Sequence, residues 1–102
     1  MTGDEEYRRV VEELLDSDPG VTETQMMGMP SLKAGGKLFA GFRENALVVK
    51  VGKDRSAELI GSGRGEPFDP SGRDRPMRDW VVLSLPADDW SELAGEARRT
   101  VG

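Results

Sequence analysis

Four arginines, Arg64, Arg73, Arg75 and Arg78, crowd into a stretch broken by Gly61, Gly63, Gly65 and Gly72 and by Pro67, Pro70 and Pro76. Glycines let backbone N–H groups approach a phosphate, and guanidinium forks bind one bidentately, so the chemistry on offer is anion recognition. The same stretch holds Glu66, Asp69, Asp74 and Asp79. Four acids cancel four bases. Arginine–carboxylate pairs that pin an irregular segment, with Phe68 anchoring it in the core, are the weightier reading. Gly61-Ser62-Gly63-Arg64-Gly65 lacks the lysine of a phosphate-binding loop and does not follow a strand, so as a nucleotide signature it is weak.

A second basic group lies upstream. Lys33, Lys37, Arg43, Lys50 and Lys53, with Phe39 and Phe42 nearby, have the residue types that contact a nucleic-acid backbone and stack on bases. The same lysines also suit the outer positions of a half-buried sheet, where they discourage edge pairing. The net charge of −5 favours this second reading. Residues 2–18 carry seven acids against two arginines, and residues 31–55 carry six bases against two acids. The charge is therefore dipolar, an acidic N-terminal segment beside a mildly basic middle.

The chain contains no histidine and no cysteine. That removes disulfides, thiolate nucleophiles, imidazole acid–base chemistry and the usual zinc ligands. Carboxylate groupings remain, in Glu12, Glu13 and Asp16 and in Asp88 and Asp89, but like charges at helical spacing read first as a solvated face. Met26, Met27 and Met29 are core fillers, with one of them expected to point outward and to suit an adaptable protein contact. The expectation is a non-enzymatic protein with no cofactor and no metal.

The elements that must position these residues can be read from periodicity. Tyr7, Val10, Val11, Leu14 and Leu15 make one helical stripe over residues 3–17, and Thr2 with Glu5 forms a capping box. Asp18, Pro19 and Gly20 end that helix. Strands are predicted over 21–27, 31–34, 37–42 and 46–51, with Met29-Pro30 as an interruption. Gly35-Gly36 forms a two-residue turn, and Glu44-Asn45 a second. A short helix follows over 53–60, then the long loop 61–79, a strand from Trp80 to Leu85, and a last helix capped by Asp88 or Asp89. Strands in a run rather than alternating with helices imply an α+β fold. The expected architecture is two layers, with helices on one face of a mostly antiparallel meander in the order α-β-β-β-β-α-β-α. One domain spans residues 1–102.

The ordered set Met26-Met27-Gly28, Gly36-Lys37-Leu38-Phe39-Ala40-Gly41, Leu47 to Val51, Pro67-Phe68, Gly72-Arg73, Met77 and Trp80-Val81-Val82 resembles the N-terminal domain of the TfoX/Sxy proteins. The similarity runs from the first helix to the last. A shorter resemblance, over about residues 25–60, is to the MmcQ/YjbR group. The first resemblance implies an α+β two-layer fold, no catalytic residues and a regulatory, competence-related setting. It marks Gly28, Lys37, Phe39, Pro67, Phe68, Gly72, Arg73, Met77 and Trp80 as structural motif positions. Members that regulate competence carry a further helical domain, which is absent from these 102 residues.

Three function classes follow. The leading one is a cytoplasmic regulatory or accessory protein that works by contact with an unknown protein partner, with homodimer formation through a sheet edge as a variant. Its contact surface is expected at the meander edge and the 61–79 loop. The second is a nucleic-acid or phosphate binder using Arg64, Arg73, Arg75, Arg78, Lys37 and Lys50. The third is an enzyme running on arginine and carboxylates, which requires a pocket that faces one against the other. No apolar run reaches the ~20 residues a bilayer crossing needs. The N-terminus lacks a secretory signal, so no membrane role is expected.

Overall fold

The computed structural model describes residues 2–26, 28–70, 72 and 76–101. Helix α1 (Gly3–Ser17) opens as its sequence requires: the Thr2 hydroxyl accepts the Glu5 N–H at 3.3 Å, and Asp4, Glu5 and Glu6 occupy the first turn. The buried residues are Gly3, Glu6, Tyr7, Val10 and Val11, so the inner face is displaced towards the N-terminus from the predicted stripe. Leu14 is only partly buried, and Leu15 is 37% exposed. The cause is an anchor at the N-terminal end. Gly3 N–H donates to Asn45 Oδ1 at 3.1 Å, and a side chain at position 3 would meet that oxygen at 2.4 Å.

Four strands follow, β1 (Val21–Met26), β2 (Met29–Ala34), β3 (Lys37–Arg43) and β4 (Ala46–Lys50). Both predicted turns form. Gly35 and Gly36 take φ of 58° and 79°, and Glu44 and Asn45 take 50° and 65°. Positive φ at both central residues matches the twist of a hairpin. Met29 and Pro30 do not interrupt the strands as expected; both lie in β2, where Pro30 stands opposite Gln25. The pairing of β2 with β3 begins only at Ser31, so the missing proline donor falls outside that ladder.

Helix α2 (Lys53–Gly61), the short β5 (Glu66–Pro67), β6 (Trp80–Leu83) and α3 (Trp90–Thr100) complete the chain. The long loop thus contains a strand, because Glu66 and Pro67 pair with Val82 and Val81. Strand β6 stops at Leu83, two residues before the predicted end. The sheet order is β1-β2-β3-β4-β6-β5, and every neighbouring pair is antiparallel. The α+β, two-layer arrangement is as the sequence implies.

All three helices contribute to one core on one face of the sheet. Tyr7, Val10 and Val11 of α1, Leu59 of α2, and Trp90, Leu93, Ala94 and Ala97 of α3 meet Leu32, Phe39, Leu47, Val49, Val81 and Leu83. Phe42 stacks on Tyr7 with ring centroids 5.1 Å apart and meets Trp90 edge-on at 6.4 Å. The opposite face carries a second, smaller cluster of Met29, Val48, Phe68 and Trp80, with Met26, Leu38 and Val82 at its margin. Helices cover one face, and the segment after β5 covers part of the other.

Candidate functional site

Among the described residues of the loop, Arg64 is held by a two-pronged ion pair. Its Nε and one terminal nitrogen donate to Asp89 Oδ2 and Oδ1, both at 2.6 Å, and the same terminal nitrogen donates to the Pro86 carbonyl at 3.1 Å. The fork grips a partner outside its own loop and ties the end of α2 to the start of α3. The hydrogen bonds from Arg64 hold the Asp89 carboxyl below its ordinary range, and those same bonds raise the guanidinium. Asp89 caps α3 by position, but its side chain makes no capping bond, because both oxygens face Arg64.

The motif positions build a folded flap. Phe68 is 2% exposed and tilts against Trp80 with centroids 6.0 Å apart. Met77 N–H donates to the Phe68 carbonyl at 2.8 Å, and the Met77 carbonyl accepts the Trp80 N–H at 3.0 Å. Gly72, at φ 66°, donates its N–H to Asp69 Oδ1 at 3.1 Å. Gly28, at φ 77°, follows β1, and Phe39 is fully buried in the helix-side core. Pro67 lies in β5. Arg73 and Arg75, together with Met27, lie outside the described residues. The Met77 side chain is 39% exposed and, with Ile60, Pro67 and Trp80, lines an apolar pocket of about 190 Å³.

The other predicted cations are only partly gathered. Val51 and Gly52 donate their N–H groups to the Asp79 carbonyl at 3.0 and 3.1 Å, which brings Arg78 to the end of the sheet that holds Lys50 and Lys53. Lys50 stands opposite Trp80 in the ladder, and Lys37 opens β3 beside the Gly35-Gly36 turn. Arg64 is held away from this group by Asp89. The expected contact surface also divides: β1 forms one edge of the sheet and β5 the other. Phe68 and Pro70 nevertheless reach across the back face to a pocket that they share with Gly28, Met29 and Arg43.

The two edges are unequal. Strand β5 has two residues and β1 has six. The β1–β2 hairpin closes at Met26 opposite Met29. Alternation from a tight hairpin then turns the N–H and C=O of Gln25, Glu23 and Val21 outward. Val21 N–H is taken by the Asp18 carbonyl at 3.1 Å. Among the described residues no strand pairs with the outer side of Glu23 or Gln25. Arg8 of α1 reaches the Glu23 carboxylate at 3.0 Å, so the acidic helix lies alongside this edge.

Sequence reasoning missed Glu6. With Asp4 and Glu5 it stands in the first turn of α1, where an acid suits the helix dipole and normally faces water, yet it is 7% exposed. Its Oε2 lies 3.3 Å from an Arg9 nitrogen, and its Oε1 is buried without a hydrogen-bond partner. Glu6 forms part of the wall of a groove of about 530 Å³ between α1 and the connection from β6 to α3. The available signal was position: Glu6 falls three after Gly3 and four before Val10, on the face that packs inward.

No protein-family model, curated protein or solved structure matches the chain. Among the described residues no helix is long and apolar enough to cross a membrane.

Proposed function

We propose that this chain is a small, non-enzymatic, cytoplasmic protein that accepts an extended basic segment of a partner protein along β1, in a regulatory or accessory role. The observation that carries the reading is the outward-facing backbone of Glu23 and Gln25 on the longer edge of the sheet. An unpaired edge is a template for strand addition, in which main-chain hydrogen bonds supply affinity. The partner's charge follows from the neighbouring helix. Residues 2–18 carry seven acids against two arginines, and Arg8 is engaged by Glu23. An arriving basic strand is attracted, whereas a second copy would set one acidic helix near another. The resemblance to the TfoX/Sxy N-terminal domain supports the regulatory setting, and the absence of histidine and cysteine supports a binding role over catalysis.

The test is selection of extended peptides from a displayed library, followed by amide exchange on the complex. Enriched peptides are expected to alternate basic and apolar residues and to protect the Glu23 and Gln25 amides. Gln25→Pro removes an outward donor while sparing the bonds to β2, and it is expected to weaken binding at least about tenfold. Protection confined to the helices or the flap, or unchanged affinity in a folded Gln25→Pro variant, overturns the reading.

A second reading draws on Lys50, Lys53 and Arg78 at one end of the sheet. A nucleic-acid backbone there predicts affinity that falls steeply with salt and flattens in an Arg78→Ala variant. The overall negative charge weighs against it.

A further inference from the structure

The geometry points to the groove between α1 and the β6–α3 connection as a binding site for an aliphatic diamine or polyamine, held by the Glu6 carboxylate. A carboxylate oxygen buried without a donor is costly unless something arrives to satisfy it. Arg9 reaches Oε2 at 3.3 Å and leaves Oε1 without a partner. Glu6 nevertheless lines a groove of about 530 Å³. An ammonium supplies three donors in one group, and with Arg9 set against Glu6 the lining still carries the two uncompensated charges of Glu13 and Asp88.

The rest of the lining selects the kind of cation. Glu13 and Asp88 add two further carboxylates to the wall, and Leu85, Pro86 and Ala87 add an apolar strip. Leu85 is 39% exposed, so its side chain is within reach of a methylene chain in the groove. Glu6 and Glu13 lie two helical turns apart, about 10 Å along the axis. One ammonium bridging two carboxylates spans only roughly 5–6 Å, twice a charge-assisted hydrogen bond. Two ammonium groups joined by methylenes fit that interval, with the methylenes against Leu85 and Pro86. A bare divalent cation suits the site less well, because it needs six or more converging oxygens. Among the described residues no group of three acids is placed to hold a metal ion.

The probe is 1,4-diaminobutane, titrated into the isotopically labelled chain at fixed ionic strength and followed by amide and side-chain chemical shifts. n-Butylamine and magnesium chloride serve as comparators. Saturable shifts at Glu6, Glu13, Asp88 and Ser91 are expected, with the diamine binding at least about tenfold tighter than the monoamine, or about 1.4 kcal/mol. Glu6→Gln should abolish saturation for both amines, and Glu13→Gln should weaken the diamine while leaving the monoamine unchanged. Should Glu6→Gln fail to fold, Glu13→Gln and Asp88→Asn carry the test. The inference falls if magnesium reproduces the shifts, if no shift is seen at millimolar diamine, or if folded carboxamide variants bind as the parent does.

Discussion

Arg64 and Asp89 form a two-pronged pair, each oxygen of the carboxylate 2.6 Å from a guanidinium nitrogen, across 25 residues of sequence. The pair closes the segment that contains the flap, so β5 and the Phe68 anchor are fixed at a base made by α2 and α3. Two further pairs fasten α3. Arg55 of α2 reaches Glu96 at 2.9 Å, and Arg98 reaches Asp18 at 2.8 Å, just beyond α1.

Replacing Arg64 by Met and Asp89 by Asn, singly and together, should give a coupling of about 1 kcal/mol in a denaturant double-mutant cycle. That is modest because both side chains are partly exposed. Arg64→Lys should lose most of it, since an ammonium cannot match two oxygens as a fork does. The pair also sets an acid response. The Asp89 carboxyl titrates below its ordinary range, so its contribution is complete above that range and is lost as pH falls through the lowered value. In Asp89→Asn, the decline of stability in acid should be shallower.

Tyr7 provides the alkaline counterpart. Burial, chiefly, and then the nearby Glu23 charge push its hydroxyl up to about 12. Below about 10 both folded and unfolded chains hold the proton. Between that value and about 12 only the folded chain does, so stability falls as pH rises. Tyr7→Phe should flatten this limb in urea melts taken from pH 9 to 12.

Gly65 is tightly enclosed. A Cβ there would lie 2.3 Å from Val81 Cγ2, and Val81 is fully buried in β6. Gly65→Ala should cost about 2 kcal/mol, in the range typical of overpacking. In combination with Val81→Ala, the total loss should be smaller than the sum of the two single losses, because the methyl that Gly65→Ala strikes is gone. Gly41→Ala is the control: its closest contact, at 2.7 Å, is the end of the flexible Met29 side chain, so the cost should be about half as large.

Phe68→Ala should separate the flap from the sheet. Removing a buried phenylalanine costs about 3 kcal/mol, at the low end for a thin layer that can collapse. The Met77 and Trp80 amides, which close the flap on the Phe68 carbonyl and on Met77, should exchange early. The Leu47 and Val49 amides in the central strand should keep most of their protection.

Much of the architecture was legible because it is local. The Thr2 cap, the paired glycines at 35 and 36 and the alternation of Leu47, Val49 and Val51 each act within a few residues. What stayed hidden depends on partners far along the chain. Asp89 looked like a helix cap until Arg64 claimed it. Glu66-Pro67 looked like loop because a two-residue strand has no periodicity and exists only through Val81 and Val82. Pro30 looked like a break because the start of the β2–β3 ladder cannot be read from the sequence around it. Glu6 looked solvated because a charged residue on an amphipathic helix is normally outward. Its burial follows from where Asn45 docks the helix end. Among the described residues, Arg64 proved to be a tether, and Lys50 and Arg78 share one end of the sheet with Lys53.

The disparity between the two sheet edges limits growth. A chain that takes up a strand beside β1 offers only two residues at its far side, too few to recruit another. Addition of the proposed kind is therefore self-terminating: one ribbon would be capped, and the two-residue far edge gives no repeat of the same contact from which a fibril could grow.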